Sequence, residues 1–136
     1  MIQRKQSIWL LFASLCAFLT FKLSFYSGTH LPENMHKELN GTENFMILIL
    51  TSGLGVLAFI NIFLFKNRVT QLRICIAAIL LDLLLIFLYV KKTGDFTEGT
   101  YSLWSIFHII IIVTLILAAI GIRKDEKLVK DSDRLR

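Results

Sequence analysis

Apolar residues in this chain come in four long blocks, and polar residues collect between them. Ile8 to Tyr26 is apolar apart from Ser14, Thr20, Lys22 and Ser24. Phe45 to Phe65 carries Asn61 near its far end, and Leu72 to Val90 has Arg73 at its mouth and Asp82 near its middle. Tyr101 to Ile122 holds 22 residues with hardly a polar break. At ~1.5 Å of rise per residue, a run of that length covers ~33 Å, about the hydrocarbon thickness of a bilayer. Backbone groups in lipid must bond within their own segment, and these runs are too long for barrel strands. The pattern therefore predicts an all-α membrane protein: a four-transmembrane-helix bundle with spans at about 8–26, 45–65, 72–90 and 101–122. The whole of 1–136 is then one membrane domain. Ser27 to Asn44, with Pro32, Gly28 and Gly41, reads as an exposed loop, and 91–100 as a second. Lys66 to Gln71 is a connector short enough to make an antiparallel hairpin of spans two and three.

Composition strengthens this picture. Of 136 residues, 55% are hydrophobic and 18% charged, against about 25% charged in a soluble domain. The first apolar block follows Arg4 and Lys5 as a secretory leader would, but no small-residue cleavage pattern ends it, so we read it as an uncleaved span. Charge then sets orientation. Six Lys/Arg lie in the tail 123–136, three more are Lys66, Arg68 and Arg73, and two precede Ile8. The opposite loops hold Lys37, Lys91 and Lys92. The positive-inside rule puts both termini in the cytoplasm, N-in/C-in. The net charge of +5 sits at span ends rather than in a groove-like stripe. It marks contacts to anionic lipid at the cytoplasmic face and excludes a nucleic-acid surface. Cys16 and Cys75 form no CxxC pair and read as small buried hydrophobes.

Polar residues inside the spans are costly, so they face the helical interior and find partners. From the outer end of its span, Lys22 lies ~6 Å deep, His108 ~10 Å and Asp82 ~12 Å. Thr51, Ser52 and Ser105 fall at similar depths, and one polar cluster of Lys22, Asp82 and His108 is expected. It reads either as a proton or small-ligand site or as a staple between helices. Asn61 reads as a helix–helix hydrogen-bond donor. His30, Glu33 and His36 are spaced like metal ligands, but Pro32 interrupts them and no fourth ligand is evident, so no metal site is expected. Asn40-Gly41-Thr42 matches a glycosylation acceptor. Ala13/Ala17, Thr51/Gly55 and Thr114/Ala118 are small pairs that permit close helix approach or self-association.

On the cytoplasmic side, Arg4, Arg68 and Arg73 are expected to meet Asp125, Glu126 and Asp133, or to present themselves to a partner. Lys127 with Asp131 and Glu126 with Lys130 lie at i, i+4, and Leu128 and Leu135 a heptad apart, which predicts a helical extension of the last span.

Met1-Ile2-Gln3-Arg4-Lys5-Gln6, Asn61 to Arg68, Gln71 to Cys75, and Ile122 to Val129 with the ending Asp133-Arg134-Leu135-Arg136 resemble a family of small membrane proteins of Bacteroidota, domain of unknown function 4293. The likeness runs the length of the chain. It implies a bacterial inner-membrane location and no assigned activity. No GxSxG, phosphate-cradling loop or HExxH is present, so neither an enzyme nor a cofactor is expected. The expected role is a scaffold, accessory or assembly subunit acting through the cytoplasmic face, with a membrane protein or a second copy as partner. The alternative is a small transporter or proton-linked channel component centred on Asp82.

Overall fold

The computed structural model describes residues 3–30, 33–42 and 44–136, with side chains from Lys5 onward. Four helices form: α1 (Gln3–Leu19), α2 (Phe45–Phe63), α3 (Arg68–Thr93) and α4 (Ile106–Arg134). α1 packs against α2 and α4, and α3 likewise packs against α2 and α4, so each helix has two neighbours. α2, α3 and α4 are long and apolar enough to cross a membrane. α1 is shorter, 17 residues, and its helix stops at Leu19 rather than running on to Tyr26. α4 exceeds the expected last span, continuing without a break to Arg134.

Small residues sit where helices touch. Ala13, Ala17, Thr51, Gly55, Ala58, Ala78, Thr114 and Ala118 are all buried, so every small pair noted in the sequence is used inside the chain. Leu10, Leu54, Leu85, Ile111, Leu115 and Ile122 fill the space between them. The outward faces are apolar too: Phe63, Leu80, Phe87 and Ile109 are each at least 60% exposed. A water-soluble helix hides its apolar stripe and shows a polar one; helices apolar all round belong in lipid.

The two expected loops are instead a sheet. β1 (Tyr26–His30) and β2 (Met35–Leu39) form a hairpin, and β3 (Phe96–Tyr101) adds to the other edge of β1, giving the order β2-β1-β3. Both pairings are antiparallel. Asn34, at φ 49°, makes the hairpin turn, a left-handed conformation that asparagine tolerates. Gly28 pairs with Gly99 across β1 and β3, and a Cβ at Gly28 would collide with the Glu98 carbonyl oxygen. The Tyr26 ring covers Gly99 and packs edge-on against Phe96 and Tyr101. Asn40 Oδ1 accepts from the Thr42 amide and hydroxyl, turning the chain out of β2. Phe25 fastens the sheet to the helices: its amide donates to the Leu39 carbonyl, its carbonyl accepts from Ser102 N–H, and its ring packs on Tyr89 of α3 and His108 of α4.

Candidate functional site

Asp82 lies midway along α3 and His108 in the first turn of α4. Their helices pack together, and His108 Nδ1 stands 2.7 Å from Asp82 Oδ1. Both side chains are buried, Asp82 completely. Asp82 Oδ2 has no hydrogen-bond partner among the described residues. Two rings close over the pair from the sheet end. Phe25 stacks on Tyr89 with centroids 4.6 Å apart, and His108 lies 5.7 Å from Phe25 and 5.2 Å from Tyr89. Thr51 of α2 is buried nearby, facing the Tyr89 hydroxyl.

Lys22 does not join them. The helix ends three residues before it, Lys22 N–H closes a turn onto the Leu19 carbonyl, and the side chain is exposed. A lysine near a helix end carries its charge out to solvent more cheaply than it pairs inside. Ser52 bonds the Ile49 carbonyl of its own helix, and Ser105 is half-buried at the start of α4. The expected cluster of three is thus a pair roofed by aromatic rings. Phe25 and Tyr89 carry no signal in the sequence beyond an apolar or interfacial ring.

Other buried polar groups tie one helix to another. Gln71 Nε2 donates to the Asn61 carbonyl at 3.0 Å, and Asn61 Nδ2 donates back to the Gln71 carbonyl and lies 3.1 Å from Cys75 Sγ. This exchange holds α2 to α3. Ser14 donates to the Gly55 carbonyl at 3.0 Å, joining α1 to α2. Gln6 Nε2 donates to Asp125 Oδ2, joining α1 to α4, with the Gln6 stem against Gly121. Gln6 and Gln71 were unmarked in the sequence because each stands where polar residues read as a span boundary.

At this same end, the tail end, Arg68 Nη1 donates to the backbone carbonyl of Asp125 at 3.0 Å. Glu126 instead takes Lys130 at 2.7 Å. That hydrogen bond and the Lys130 charge, then the charges of Arg123 and Arg68, hold the Glu126 carboxyl below its ordinary range. Of the expected charged face, Arg68, Asp125 and Glu126 are therefore gathered, while Arg73 and Asp133 stand exposed. The Arg4 side chain lies outside the described residues. Between the α2–α3 turn and α4 is an open groove of about 770 Å³, with Phe65, Lys66, Arg68, Val69, Val129 and Lys130 in its walls.

At the sheet end a cavity of about 140 Å³ is lined by His30, Lys37, Glu38, Lys92 and Asp95. His30 pairs with Met35 across the hairpin and His36 with Thr29, so the two histidines point to opposite faces. Among the described residues no three metal-ligating side chains converge. No curated protein and no solved structure matches the chain. A family model does match, over residues 2–135, and the chain belongs to the family it describes, Domain of unknown function (DUF4293).

Proposed function

We propose that this chain is a four-span protein of the bacterial inner membrane, both termini cytoplasmic, that serves as a scaffold or accessory subunit through its tail end rather than as an enzyme. One observation carries the reading: most of the buried polar side chains join one helix to another, while the tail end keeps an open groove and an exposed helical arm. The arm is the last part of α4, where Lys127 to Arg134 is exposed and Leu128 and Val129 face outward among charges. Charged groups alternating in sign with a few apolar ones suit a helix-bearing protein partner at the membrane surface. The charge bias toward this end supports its cytoplasmic placement. α1 spans ~26 Å at ~1.5 Å per residue, a length that a locally thinned bilayer accommodates as a first crossing.

The test is photocrosslinking in native membranes from a reactive residue at Leu128, compared with one at lipid-facing Leu80. A discrete protein adduct at 128, absent at 80 and lost when Lys127 and Asp131 exchange sign, supports docking. Adducts with lipid alone at both positions overturn it.

A second reading rests on Asp82 Oδ2, a buried carboxylate oxygen without a partner among the described residues. Such a group binds a proton or a water on a transport path. Asp82→Asn keeps the size and removes the charge; if vesicles bearing the wild-type chain carry a proton flux that the variant lacks, transport replaces docking as the function.

A further inference from the structure

We infer that the groove between the α2–α3 turn and α4 is a binding site for the headgroup of an anionic phospholipid. The inference rests on α2, α3 and α4 lying in a membrane, and not on a protein partner for the arm.

The position is the first argument. The apolar part of α2 ends at Phe63–Phe65 and that of α4 at Ile122, so the groove begins where hydrocarbon would give way to headgroups. Its walls are divided accordingly. Phe65, Val69 and Val129 are each between 44% and 50% exposed and offer an apolar flank for acyl chains. Lys66, Arg68 and Lys130 supply the charge.

The second argument is charge complementarity. Three cationic side chains face one carboxylate, Glu126, which is already bound to Lys130. Arg68 gives one N–H to the Asp125 backbone carbonyl, a neutral acceptor, so its charge is positioned but uncompensated by that bond. A guanidinium fixed in this way retains donors for a phosphate, and Lys66 reaches the same space from the preceding turn. Arg68, Val69 and Thr70 are also the first residues of α3 and line the groove, and the side chain of the cap residue Asn67 does not cap the helix, so its positive end lies at the groove. Basic pockets between membrane helices at the headgroup level are the usual seats of phosphoglycerol-type lipids. The volume, about 770 Å³, is in the range of a small-molecule site.

The occupant is a lipid rather than free phosphate, because only a lipid uses the apolar flank and the cations together. Native mass spectrometry of the full chain in neutral detergent, titrated with phosphatidylglycerol, phosphatidylcholine or glycerol 3-phosphate, tests this. The wild type should retain phosphatidylglycerol in preference to phosphatidylcholine. The double variant Lys66→Gln/Lys130→Gln should bind phosphatidylglycerol about tenfold more weakly or worse. Lys91→Gln/Lys92→Gln, which removes the same charge at the sheet end, should bind as the wild type does. Val129→Trp fills the groove without touching charge and should also lose the lipid. Equal weakening in both double variants, equal retention of phosphatidylcholine, or equally tight binding of glycerol 3-phosphate would each overturn the inference. Crosslinking at Leu128 is read separately, so a failure here leaves the docking arm standing, and the converse holds.

Discussion

Asp82 and His108 are 26 residues apart in the chain, yet Oδ1 of one and Nδ1 of the other are 2.7 Å apart in a closed interior. Each is the principal polar contact of the other, so the pair behaves as a unit joining α3 to α4. Removing one member strands the other in an apolar setting, while removing both leaves only a packing defect. Asp82→Leu and His108→Leu should each lower stability by about 3 kcal/mol or more. The double change should cost clearly less than the sum. Thermal unfolding in detergent reads the cycle; strictly additive costs would show that the contact does not couple the helices.

Lys22 gives the contrasting case. It is exposed and outside the aromatic roof, so Lys22→Leu should change stability by no more than about 0.5 kcal/mol. It should also show no coupling to Asp82→Leu in the same assay. A coupling above about 1 kcal/mol would place the ammonium in the interior after all.

The sheet makes its own prediction through glycines. Gly28→Ala and Gly99→Ala each drive a methyl into backbone, the first onto the Glu98 carbonyl and the second onto the Ser27 carbonyl and the Tyr26 ring. Both should break the β1–β3 pairing and expose the segment 96–101 to added protease in reconstituted vesicles. Gly53→Ala, where a Cβ meets nothing within 4 Å, should be neutral or stabilising by about 0.5–1 kcal/mol, as a helix gains from losing a glycine. Protease resistance of Gly28→Ala equal to wild type would contradict the strand register.

Asn61 and Gln71 exchange side-chain amides for backbone carbonyls across the α2–α3 hairpin. Gln71→Leu leaves buried polar groups unmet and should cost about 1–3 kcal/mol. It should also loosen the packing over Cys75. Cys75 and Cys16 are both buried and free, so neither should react with maleimide in the folded chain. In Gln71→Leu, Cys75 should label first. Rapid labelling of Cys75 in the wild type would mean the hairpin is open.

The helices were legible because lipid-facing and core-facing sides are both apolar, which leaves long blocks with polar ends. α2 begins at Phe45 as expected, and α3 contains the whole of 72–90. The strands were not legible, since YSGTH, MHKEL and FTEGTY lack an apolar alternation and contain glycine, lysine and glutamate. Their pairing is also non-local: Tyr26 meets Tyr101, and no short-range pattern announces a partner that distant. The depth rule put Asp82 and His108 at nearly one level, and the fold joins them. It failed for Lys22 because it assumed a helix through to Tyr26, whereas α1 ends at Leu19 and the chain turns.

β1 lies between α1 and α2 in the chain, and β3 lies between α3 and α4, so their pairing stitches one half of the molecule to the other at a single end. At the opposite end the start of α3 meets α4 where Arg68 donates to the Asp125 carbonyl. The molecule is thus built like a pair of tongs, riveted where the strands cross from half to half. Any rearrangement that keeps the rivet intact must work against the clamps at the jaws, the Asn61–Gln71 exchange between α2 and α3 and the Gln6–Asp125 bond between α1 and α4.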